Sequence, residues 1–215
     1  MYQLFGMSKM AGAFGTVAAI IALILVYLWP VSDPTEFWRV ASLAVSITGG
    51  LMLVVGQTAI FPWLCRLWGI RDFIPPIDGK WRGEFRSNYA EIAHAFDLPP
   101  PDATVPIIVR FEIKARLFHV RIQTESLQPK ERYMRADSTA FSIMRCSHTG
   151  RDVIHYVFDA FIGDPEVSDV DSFYGAARMV ILGKGNDLRL VGTYWTDRNW
   201  QRGYNTAGSF TLIRE

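Results

Sequence analysis

The side chains able to do chemistry fall into one late cluster and a scatter. Along Leu190-Val191-Gly192-Thr193-Tyr194-Trp195-Thr196-Asp197-Arg198, an extended chain puts Leu190, Gly192, Tyr194 and Thr196 on one face, and Arg198 continues that face at the strand end. A ring to stack on, a hydroxyl and a fork of guanidinium donors suit a flat, aromatic, anionic ligand. The same spacing also suits a barrel-corner packing motif ending in an exposed arginine, and spacing does not separate the two. A second aromatic and glycine signature, Gly79-Lys80-Trp81-Arg82-Gly83, lies far upstream.

The scatter carries no reaction. His94, His119, His148 and His155 form no HExxH or HxH set, and no GxSxG, P-loop, paired-carboxylate or dinucleotide fingerprint occurs. Lys184 sits in Gly183-Lys184-Gly185, where a hairpin turn accounts for both glycines without a phosphate. Cys65 and Cys146 stand far apart without metal-ligand spacing and read as two unpaired thiols in a reducing compartment. The expectation is a protein that is not an enzyme and uses no metal or cofactor. A net charge of +1 is too small to imply nucleic-acid duplex binding or a surface that coats acidic lipids, so no DNA or RNA partner is expected.

The elements that must position the cluster come in two kinds. Residues 10–70 are almost continuously apolar, whereas residues 71–215 hold most of the charges. Ala11–Trp29 has the ~20 residues that cross ~30 Å of hydrocarbon, and Val40–Cys65 is a second uncharged run. Two spanning helices are therefore expected, at about 11–29 and 40–65 within a transmembrane region 1–70. Trp29, Trp38, Trp63 and Trp68 mark their ends at headgroup level. A cleaved signal peptide would have a shorter apolar core and a small-x-small site, which Leu28-Trp29-Pro30 does not supply. Lys9, Arg66 and Arg71 flank the pair while Asp33 and Glu36 lie between, so both termini are expected in the cytoplasm of an inner-membrane protein. Ser42, Ser46 and Gly50 recur every four residues and allow close helix approach, with the first span or with another subunit.

After a linker at 71–76 closed by Pro75-Pro76, the period becomes two. Trp81, Gly83, Phe85 and Ser87 alternate with charged residues. Ile107–Ile113 and Phe118–Thr124 form a hairpin, and weaker strands follow near 132–146 and 152–162. Clearer ones lie at 173–182, 187–196 and 206–214, while residues 90–104 read as a long loop without any amphipathic helix. Eight strands joined by short turns predict an antiparallel up-and-down β-barrel over 77–215, with a sandwich as the alternative.

Two spans, a proline-broken linker, a GxWxG opening strand and a late LxGxYxTxR strand together resemble a family: the two-transmembrane, β-strand-rich effectors of CBASS anti-phage systems, associated with a nucleotidyltransferase that makes cyclic nucleotides. The resemblance covers essentially the whole chain. It implies an eight-stranded, lipocalin-like barrel that binds a cyclic dinucleotide made on infection. It also implies homo-oligomer assembly in inner-membrane lipid, loss of membrane integrity and death of the infected cell. On that reading Arg198 pairs with phosphate, the rings stack on bases, and strand phase gives Tyr194, Thr196, Arg198, Trp81, Tyr156 and Thr124 as ligand contacts. Arg110 and Arg145 are further possible phosphate partners, although alternation points Arg110 outward. Two alternatives remain: an anchored barrel that carries an apolar ligand, and a subunit that docks a partner protein, for which Phe85, Phe111, Phe118 and Met179 would fill the interior.

Overall fold

A computed structural model describes residues 1–4, 6–67, 69–71, 73–98, 107–127, 134–165 and 169–215. Its chain divides into two compact units. Unit 1 is Met1–Pro76 with the turn Arg116–His119, and unit 2 is Ile77–Ala115 with Val120–Glu215.

Unit 1 holds α1 (Met7–Leu28), α2 (Pro34–Gln57) and the short α3 (Ile60–Leu64). The second helix begins six residues before the uncharged run because Asp33-Pro34 starts it. The Asp33 carboxylate accepts the backbone N–H groups of Thr35 and Glu36, Pro34 presets the first turn, and Glu36 reaches back to the Ser32 N–H at 2.8 Å. At Thr58 the backbone turns extended, so the expected single span to residue 65 is divided into α2 and α3. Only 11% and 17% of the most apolar stretches of α1 and α2 are buried. Leu23, Ile24, Leu53 and Val54 stand open along them. Helices this apolar and this uncovered are built for membrane insertion, where hydrocarbon takes the place of a protein core. Trp29, Trp38 and Trp63 are exposed near the helix ends, while Trp68 lies outside the described residues.

Leu25 on α1 and Ala44 and Thr48 on α2 are buried where the two helices pack, and the Thr48 hydroxyl donates to the Ala44 carbonyl at 2.7 Å. Ser42, Ser46 and Gly50 are exposed instead.

Unit 2 is a closed antiparallel barrel of eight described strands in simple order. They are β1 (Gly79–Ser87), β2 (Ile107–Ala115), β3 (Val120–Ser126), β4 (Met134–Arg145), β5 (Asp152–Ile162), β6 (Ser172–Leu182), β7 (Arg189–Thr196) and β8 (Ala207–Arg214). β1 pairs with both β2 and β8, which leaves no open edge. The alternative of two stacked sheets is thereby settled in favour of the barrel.

The period-two pattern fills the interior as alternation requires: Phe111, Ile122, Ile154, Met179, Leu190 and Leu212 are fully or almost fully buried. A bulge between Ser138 and Ala140 resets the phase of β4, so that Ala136 and Ile143 both point inward although seven residues apart. That shift explains why this strand reads weakly in sequence.

Two expectations change. Phe118 is not an inward strand residue; it is exposed in the turn before β3, which starts at Val120. The expected loop after β1 contains a two-turn helix, α4 (Tyr89–Ala95), which buries Ile92 and Ala93. Asn88 fastens its start to β8, donating its N–H to the Ala207 carbonyl and accepting the Ala207 N–H on its side chain at 2.8 Å.

Candidate functional site

The interior has two unlike ends. Where β1 begins, Trp81 is fully buried, its indole N–H donates to the Ile77 carbonyl at 2.9 Å, and the Arg214 guanidinium lies 5.1 Å from its ring centre. This end is plugged. At mid-height, four rings cross the lumen. Phe85 stacks on Tyr194 at 4.9 Å and on Phe210 at 5.2 Å, and Phe210 stacks on Phe111 at 5.7 Å. Such contacts contribute about 0.5–1.5 kcal/mol each beyond burial.

Glycines make this layer possible. A Cβ on Gly192 would lie 2.6 Å from the Phe210 ring and 2.5 Å from the Arg178 carbonyl oxygen; one on Gly208 would lie 2.8 Å from the Tyr194 ring. The glycine in the late strand signature is therefore a seat for an aromatic ring.

Above the aromatic floor, the opposite end is polar. Thr124, Ser126, Thr196 and Thr206 are the buried polar residues described in the barrel, and Thr124 lies third from the end of its strand. The Thr196 and Thr206 hydroxyls share a hydrogen bond of 2.9 Å. Tyr194 lies 9% exposed below them. Burial raises its phenol pKa, outweighing the lowering by a Ser87 hydrogen bond and by the Arg198 charge, so the hydroxyl stays protonated at neutral pH.

Arg198 lies two residues beyond the end of β7, at the rim. Its guanidinium stands 5.6 Å from the Phe173 ring centre and forms a two-pronged ion pair with Asp169, with Nε donating at 2.9 Å. Asn199, in the left-handed conformation that asparagine tolerates, donates its side-chain amide to the same carboxylate at 3.0 Å. Burial raises the Asp169 pKa, but the Arg198 bond and charge, the Val170 N–H and Asn199 together bring it below the ordinary carboxylate value.

Of the expected contacts, Tyr194, Thr196 and Arg198 come together at this mouth and Thr124 faces the same interior. Tyr156 is inward and buried at mid-barrel, where burial pushes its hydroxyl pKa far up. Trp81 is inward but lies at the plugged end, apart from the others. Arg145 is outward and paired with Asp152 at 2.8 Å, and Arg110 is outward beside Glu215, as alternation required. Asp169, Asn199, Phe173 and Thr206 belong to the mouth and were not expected. Asp169 and Phe173 come from the segment before and into β6, which no local pattern in β7 could announce.

Cys65 and Cys146 form no disulfide. No cluster able to hold a metal ion occurs among the described residues.

Fold and site together define a class: an antiparallel eight-stranded barrel carried behind two membrane-type helices, plugged at one end and polar at the other. No protein-family model matches the chain. The chain is similar to CD-NTase-associated protein 15 of Escherichia albertii, 26% identical over 143 residues. The matched stretch covers 66% of this chain and 64% of the relative's own length. This similarity bears out the expected resemblance to CD-NTase-associated proteins.

Proposed function

We propose that this protein is an effector of a CBASS anti-phage system: its barrel, in the cytoplasm, binds a cyclic dinucleotide, and binding promotes assembly of the helices and disruption of the inner membrane. The observation that carries this reading is the mouth. An arginine fork and two threonine hydroxyls stand above a floor of stacked rings that includes Tyr194, in a chain similar to a protein whose name links it to such a nucleotidyltransferase.

Each group has a task. Arg198 exchanges the Asp169 carboxylate for a ligand phosphate, the bidentate partner a guanidinium prefers. Phe173 and Tyr194 offer rings to the bases, and the threonines offer hydroxyls to sugar or base edges. Thr124 and Tyr156 line the wall below, while Trp81 holds the far end shut. Ser42, Ser46 and Gly50, exposed on α2, are the surface through which copies associate. The messenger shifts assembly by the difference in its affinity for the assembled and dispersed states.

A second reading has its own observation. The four-ring layer fills the middle of the lumen, as a barrel that docks a partner protein would have it. Inducible expression separates the two. Co-expression with an active cyclic-dinucleotide synthase should depolarise cells carrying the wild-type protein and leave those carrying Arg198→Ala intact at equal membrane levels. Depolarisation that ignores the synthase would remove the messenger reading.

A further inference from the structure

The net charge of +1 hides a separation along the barrel. At the plugged end, the β2–β3, β4–β5 and β6–β7 turns bring Arg116, Arg151 and Lys184, and the strand ends bring Arg189 and Arg214, against Asp78, Asp187 and Glu215. Arg145 and Asp152, which bracket the middle turn, neutralise each other. At the mouth, the described loops and α4 carry six acids against Arg198 and Arg202, and one of those acids, Asp169, is matched by Arg198. The remaining five are Glu91, Asp97, Asp164, Asp171 and Asp197. Arg151, Lys184 and Arg189 are all exposed.

Connectivity puts the basic end next to the spans along the chain. The chain enters β1 at Gly79 directly from the helical unit, past Arg66 and Arg71. The turn Arg116–His119 belongs to that helical unit, where the Leu117 N–H donates to the Gly56 carbonyl in the last turn of α2 at 2.8 Å. Few residues of chain separate these cations from the spans, and screening of an anionic surface is incomplete inside a Debye length of ~10 Å.

We propose that the plugged end of the barrel is a headgroup-binding surface for anionic phospholipids, with Arg151, Lys184 and Arg189 as its contacts, which rests on the cytoplasmic placement of the barrel. The occupant follows from charge complementarity and from continuity with the helices that enter the same bilayer. The acidic mouth is repelled by that surface, so the charge separation holds the polar opening toward solution, where a soluble ligand arrives.

The full-length protein in nanodiscs tests this without any nucleotide. Discs of phosphatidylcholine alone are compared with discs containing one third phosphatidylglycerol. Acylation of Lys184, followed by mass spectrometry, should slow at least threefold in the anionic discs and recover in 0.5 M salt, while hydrogen exchange at Asp197–Asn205 stays unchanged. The double variant Arg151→Glu, Arg189→Glu should lose the difference between discs and keep its melting temperature. Equal labelling in the two discs would overturn the proposal, as would protection that survives both salt and the double variant. Protection in anionic discs from a protein that binds no cyclic dinucleotide would leave this surface standing and sink the messenger reading. The converse result would sink the surface alone.

Discussion

The Arg198 guanidinium and the Asp169 carboxylate meet as a two-pronged ion pair at the rim of the barrel, with Asn199 donating to the same carboxylate. A carboxylate in this position occupies the donors a phosphate would use. Asp169→Asn removes the competing charge while keeping an acceptor for Arg198. Partly exposed pairs of this kind contribute up to about 1 kcal/mol, so cyclic dinucleotide affinity should rise about fivefold. Calorimetric titration of the variant checks it, and weaker binding would show that Asp169 positions the arginine instead.

The same pair sets a pH expectation. The Asp169 pKa is lowered in the folded protein, so its contribution to stability is present above the unfolded value of ~3.9 and is lost as pH falls through the folded value. Melting of wild type and Asp169→Asn should therefore differ by a constant amount from pH 5 to 8. The two curves should converge only below about pH 4. A difference that already fades at pH 6 would mean that another group controls the rim.

Gly192 seats the Phe210 ring. Gly192→Val would put branched carbons against that ring and the Arg178 carbonyl, and overpacking of this sort costs about 1–3 kcal/mol. Thermal melting should fall, and Phe210→Leu in the same chain should restore part of the loss.

Trp81 offers a contrast with Arg198. It is fully buried at the plugged end, and Trp81→Ala should cost about 3–5 kcal/mol in stability. The milder Trp81→Phe should leave ligand affinity within twofold of wild type. A tenfold loss of affinity with unchanged melting would place Trp81 in the ligand site.

On α2, Ser46→Leu and Gly50→Leu add bulk to an exposed face without touching Leu25, Ala44 or Thr48. Both variants should insert normally and fail to form cysteine cross-links from a reporter at position 42 when the messenger is present. Normal cross-linking would move assembly to another surface.

Most of the barrel was legible because period two survives wherever one face meets the interior. Phe111, Ile122, Met179 and Leu190 all lie where alternation puts them. What escaped depended on neighbours distant in sequence. The β4 bulge shifts phase in mid-strand, α4 is too short to show a helical period, and Phe118 follows the β-pattern although it sits in a turn. The site divided in the same way: Tyr194, Thr196 and Arg198 share one strand and could be read together. Trp81 obeyed the same inward rule, but phase gives the face and not the height, so its place at the opposite end was invisible. Asp169 and Thr206 reach the mouth from other segments, which the pairing of β6 and β8 with β7 brings to Arg198.

The most direct measurement is calorimetric titration of the full-length protein in nanodiscs with a panel of cyclic dinucleotides, wild type beside Arg198→Ala. Saturable one-site binding of at least one cyclic dinucleotide is expected, weakened at least tenfold by Arg198→Ala with melting unchanged. No binding across the panel by a folded protein, or equal binding by wild type and the variant, would contradict it.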